Sequence, residues 1–174
     1  MNDCGAYLGF LNRVQKHEID VILQVYVGSA KHPIEIRNGF DSRVVCFHSD
    51  SWRDSSENHF DIVLRPYENI RFVAADIADD VRVENWWLEN EGVDIDMVLI
   101  GIDGGEKNIS TLMGMGNLLD KVEYILTTIK VSENMYQKFN ELLLKYNFEG
   151  TDIESFNSRY NIALFRKSKR IKKH

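Results

Sequence analysis

Two apolar runs constrain most strongly what this chain can fold into: "VILQVYV" (21–27) and "MVLIGI" (97–102). Both are almost unbroken in their apolar character. They therefore read as strands buried on two faces, the setting of a central strand in a parallel sheet covered by helices above and below. Three further runs, "RVVCF" (43–47), "IRFVAAD" (70–76) and "VEYILTTIKV" (122–131), read as companion strands. Helical patterns separate them. "AYLGFLNRVQKH" places Leu8, Leu11 and Val14 near one face, and "SAKHPIEIRNGF" holds a short helix closed by Gly39. "SDSWRDSSENHFDIVLRPYEN" opens on a serine- and aspartate-rich cap signal. "KNISTLMGMGNLL" is a helix broken or ended near Gly114 and Gly116, and "ENMYQKFNELLLKYN" is an amphipathic helix. The last segment, "FEGTDIESFNSRYNIALFRK", reads as two strands joined as a hairpin. Strands alternating with helices predict an α/β fold, a doubly wound and mainly parallel sheet with a C-terminal antiparallel hairpin.

With 174 residues, 44% of them hydrophobic and 28% charged, the chain suits one globular domain, placed at 1–167, followed by a basic tail at 168–174. No apolar run approaches the roughly 20 residues of a bilayer span, and the first residues lack a secretory pattern. Cys4 and Cys46 show no metal-ligand spacing, so two reduced thiols in a cytoplasmic protein are expected. The five histidines form no cluster, and no metal site is expected. The net charge of −6 hides an asymmetry: six cations lie between Arg166 and Lys173, so the rest of the chain sums to about −12. That acidic body argues against nucleic acid as a partner and for a solvated tail.

The candidate chemistry sits at strand ends. Gly28 closes the first run, but "GSAKHP" lacks the remaining glycines of a dinucleotide loop. "FHSD" closes the second, where a carboxylate accepts both hydroxyls of a ribose. Asp50 has the right chemistry and His48 the nearer position; Asp50 and Ser49 equally suit a helix cap. Asp76 ends the third run, as a partner for an exocyclic amine or as a solvated turn. Asp103 ends the fourth, followed by flexible glycines and Glu106. A carboxylate there orients a hydroxyl or acts as a general base, and helix-start electrostatics favour the same residues with no chemistry involved.

Residues 81–166 resemble the FkbM-type, S-adenosylmethionine-dependent methyltransferases. The matching text is "VRVENWWLEN", "DIDMVLIGIDGGEKNISTLMGMGNLL", "VEYILTTIKV", "LLLKYNF" and "RYNIALFRK", with no gap between Asp103, Leu112 and Gly114. The resemblance implies a Rossmann-like fold with S-adenosylmethionine as cofactor. It also implies methyl transfer to a hydroxyl of a sugar or similar small molecule, a glycan acceptor included. Asp103 or Glu106 is then the base, Gly28 and Ser29 face the cofactor, and His48 stands where the ribose-binding carboxylate would be. Asp50 and Asp76 are the polar anchors. Tyr26, Ala30, Gly101 and Asn108 depart from the family pattern. Those departures keep a second reading, a methyltransferase-like binding or assembly module without catalysis. Self-association is left open.

Overall fold

The computed structural model describes residues 9–14, 18–25, 31–48, 62–75, 82–101, 104–132 and 134–168. They form one seven-stranded sheet. In chain order the strands are β1 (Val21–Val25), β2 (Arg43–His48), β3 (Ile70–Ala74), β4 (Met97–Ile100), β5 (Tyr124–Lys130), β6 (Phe148–Ser155) and β7 (Tyr160–Lys167). The helices are α1 (Lys31–Phe40), α2 (Val83–Asn90), α3 (Glu106–Met115) and α4 (Met135–Leu144). The spatial order is β3-β2-β1-β4-β5-β7-β6, with β1 and β4 side by side at the centre. Strands β1 to β5 run parallel, while β7 runs antiparallel to β5 and to β6. The predicted α/β sheet and C-terminal hairpin are both present.

The apolar character of β1 and β4 follows from what covers them. On one face Leu23, Val25, Val98 and Ile100 meet Trp87 of α2, Leu112 of α3 and Phe139 of α4. On the other, Ile22, Met97 and Leu99 meet Phe10, Leu11 and Val14, together with Ile36 and Phe40 of α1. Each fully buried Leu, Ile or Phe contributes about 1.5–3 kcal/mol relative to exposure. Alternate residues of one strand thus serve two separate cores.

One helix boundary differs from expectation, and one helix lies where the sequence pattern named none. Helix α1 is ten residues long and runs past Gly39, ending where Asp41 takes a φ of 55° and donates its N–H to the Arg37 carbonyl at 2.7 Å. Pro33 is tolerated because it lies in the first turn, where backbone N–H groups have no intrahelical acceptor. "VENWWLEN" is the helix α2, in which Val83 and Trp87 are buried while Leu88 is 62% exposed. Helix α3 ends at Gly116 (φ 51°), as its glycines predict, and passes into a 3-10 turn over Gly116–Asp120.

Candidate active site

In an open sheet of this kind, ligands bind beyond the carboxyl ends of the strands, where the strand order reverses. The reversal here falls between β1 and β4, since β2 and β3 extend one way and β5 the other. Gly28, Ser29, Asp50, Asp76 and Asp103 belong to the segments that follow these strands and lie outside the described residues. His48 and Glu106 are described, and they stand on different sides of the crevice.

His48 is the last residue of β2. Its carbonyl accepts the Ala75 N–H at 2.9 Å, which continues the pairing with β3. Its side chain is buried, and desolvation lowers its pKa below the ordinary 6.5, so the imidazole is neutral at physiological pH. A neutral imidazole offers one donor and one acceptor nitrogen, whereas a carboxylate accepts from both hydroxyls of a diol. An imidazole therefore lacks the bidentate acceptance of a diol that a carboxylate provides. Two residues back, burial pushes the Cys46 thiol up to about 12, and it donates to the Arg71 carbonyl at 3.4 Å. Such a thiol is inert.

The exit of β4 is fixed at both ends of 102–103. Gly101 donates its N–H to the Val25 carbonyl at 3.1 Å, and the Gly104 carbonyl accepts from Lys130 N–H at 2.8 Å. Gly104 has a φ of +61°, and a Cβ built there lies 2.9 Å from the Lys130 nitrogen and 3.1 Å from the Tyr160 ring. Only glycine fits between the end of β5 and that ring. The residue that follows Asp103 is thus anchored at the carboxyl edge, beside β5 and Tyr160.

Glu106 opens α3 and is exposed, with its carboxylate 2.5 Å from the Lys138 ammonium of α4. It ties two helices together on one face of the sheet. Asn108, which stands where the FkbM pattern has a glutamate, is fully buried and donates to Thr127 Oγ1 at 3.2 Å. That departure is a core contact between α3 and β5. Arg159 and Tyr160 were not predicted, although they reach the same edge. Because β7 is antiparallel to β5, the hairpin turn "NSRYN" returns to the carboxyl ends. Asn157 Oδ1 accepts from the N–H groups of Arg159 (2.8 Å) and Tyr160 (3.0 Å), which holds that turn.

No protein-family model and no curated protein matches the sequence. Solved structures do match. PH1948 from Pyrococcus horikoshii, a candidate RNA methyltransferase, aligns over 98% of this chain and 84% of its own at 11% identity and a TM-score of 0.68. TrmK from M. capricolum, solved with S-adenosylhomocysteine, covers 91% and 68% at 13% identity and 0.63. Sp1610 from Streptococcus pneumoniae, a candidate tRNA methyltransferase solved with S-adenosyl-L-methionine, covers 97% and 73% at 14% identity and 0.61.

The fold is that of the class I S-adenosylmethionine-dependent methyltransferases. Two of these three neighbours were solved with S-adenosylmethionine or its product, in line with the cofactor expected from the sequence. The small-molecule or glycan acceptor, with nucleic acid set aside, is corrected by the same neighbours, of which PH1948 and Sp1610 are described as RNA and tRNA methyltransferases. The physical reason is that net charge is a property of the whole surface, whereas an acceptor meets only the local field at one edge. Among the described residues, no helix is long and apolar enough to cross a membrane, and no three metal-ligating side chains stand together.

Proposed function

We propose that this chain binds S-adenosylmethionine at the carboxyl ends of β1 and β2 and methylates an RNA acceptor presented at the ends of β4 and β5. The observation that carries the reading is the reversal of strand order between β1 and β4, with His48 on one side and Gly104 on the other. The cofactor supplies a methyl group already activated as a sulfonium. What is left to the chain is to orient, to exclude water and to take a proton. Gly28 and Ser29 face the cofactor, His48 gives one hydrogen bond to its ribose, and Asp50 and Asp76 supply further polar contacts. Asp103, adjacent to the anchored Gly104, takes the acceptor's proton. Glu106 is the weaker candidate because its carboxylate is engaged by Lys138. A cytoplasmic setting, in which the buried Cys46 stays a thiol, accords with this role. The FkbM likeness is one of motif text and carries no choice of acceptor.

The test follows labelled methyl from S-adenosylmethionine into unmodified tRNA. Transfer is expected, and Asp103→Asn should lower it by about 10²–10⁴, the loss typical of a general base. One observation favours a second reading, a domain that holds the cofactor without catalysis: a single-acceptor imidazole at His48 replaces the carboxylate chemistry. Cofactor binding with no transfer to any RNA offered would select it.

A further inference from the structure

Beyond β5 the carboxyl edge opens into two adjoining hollows of about 250 and 360 Å³, which share Lys130 and Val131. Ser132, Arg159 and Tyr160 line one; Asn134 and Tyr136 line the other. In a chain with 27 acidic residues, the described lining of both hollows contains two cations and no carboxylate. Glu133, in the intervening loop, lies outside the described residues.

The register of β6 explains part of this charge separation. Ile153 pairs with Ala163 and lines the hollow beside α4, while Asp152 and Glu154 point to the opposite face and pair with Arg13. Acid is thus led away from the cleft by strand alternation. Among the described residues the exposed Arg159 guanidinium makes no ion pair. The cleft also touches the catalytic edge, because the Tyr160 ring that lines it packs against the site of Gly104, next to Asp103.

Resting on the proposed function, we infer that this cleft seats the phosphate backbone of the RNA acceptor. Arg159 and Lys130 meet phosphate oxygens, and Tyr160 offers a ring face to a neighbouring base. A guanidinium suits phosphate through its planar fork of donors, and base–aromatic stacking tolerates any sequence. The cleft thereby delivers the target nucleotide to the end of β4.

The test measures binding of an in-vitro-transcribed tRNA by anisotropy across a salt series, with S-adenosylmethionine calorimetry on the same proteins. Arg159→Glu should weaken RNA binding about tenfold at low salt and reduce the salt slope by about 1 to 2. Arg159→Lys should restore most of the slope, and Lys121→Glu, a reversal at the amino end of β5, should leave RNA affinity near that of the parent. Cofactor heat and melting temperature should stay constant throughout. If Arg159→Glu binds RNA like the parent while cofactor binding persists, the cleft is not the RNA seat and the methyltransferase reading stands without it. Equal losses from Lys121→Glu and Arg159→Glu would also overturn the inference, by showing that net charge alone decides. No cofactor heat in any of the proteins would sink the methyltransferase reading and the cleft with it.

Discussion

Gly104 is the residue at which backbone conformation and the proposed function meet. Alanine there adopts a left-handed φ and drives its methyl group against the Lys130 nitrogen, which has no freedom to move away. We expect Gly104→Ala to cost about 2–4 kcal/mol, from the left-handed penalty plus overpacking, and to lower Tm by roughly 5–15 °C. Gly116 has a similar φ, but its obstacle is the flexible Glu84 carboxylate, which also caps the Asn117 N–H at 3.0 Å. Gly116→Ala should therefore cost less, about 1–2 kcal/mol. Melting curves of the two variants check the order, and equal losses would contradict this account of the β4 exit. His48 carries a second prediction at this scale. Its folded pKa lies below 6.5, so beneath that value the unfolded chain binds the proton more readily. The contribution to stability is complete above about 6.5 and is lost as pH falls through the folded pKa. Tm should drop between about pH 7.5 and pH 5.5, and His48→Asn should blunt the drop. An identical drop in both proteins would place the titration elsewhere. The sequence could show that His48 follows an apolar run; it could not show burial, which is what makes the imidazole neutral.

At the level of elements, strands were legible and helix ends less so. Runs such as "MVLI" declare themselves because both faces must be apolar, whereas the end of α1 depends on one backbone dihedral at Asp41 that nearby Gly39 obscured. Helix α2 was hidden because its eight residues bury only Val83 and Trp87. Its importance lies at its end. The Glu91 carboxylate is 1% exposed and bridges Arg43 of β2 and Arg71 of β3, the latter at 2.6 Å. Both arginines are nearly half exposed, which screens the pairs and keeps their worth below that of a fully buried network. Glu91→Ala should still destabilise by about 2 kcal/mol, because two cations lose a shared partner. Urea midpoints measure this directly, and a loss under about 0.5 kcal/mol would show that the clamp is ornamental. The candidate site was the least legible element of all. Strand ends pointed to the carboxyl edge, but the Tyr160 contact needs the antiparallel return of β7, which brings Lys130 and Tyr160, 30 positions apart in the chain, into register.

For the whole molecule, the sheet order decides what the surface does. One reversal between β1 and β4 creates a crevice; in the proposed function the cofactor half lies toward β2 and the acceptor half toward β5, where the cationic cleft opens. On that proposal an acidic chain and an RNA acceptor are compatible, since the charge that matters is local. The claim on which everything else depends is that the crevice still holds S-adenosylmethionine despite Tyr26, Ala30 and His48. Isothermal calorimetry on the intact chain tests it most directly. The account predicts a saturable heat with one site per chain. It also predicts that the same ligand raises Tm, since a ligand at a hundred times its Kd adds about 2.7 kcal/mol to the folded state. Millimolar S-adenosylmethionine that gives neither heat nor thermal stabilisation would contradict it.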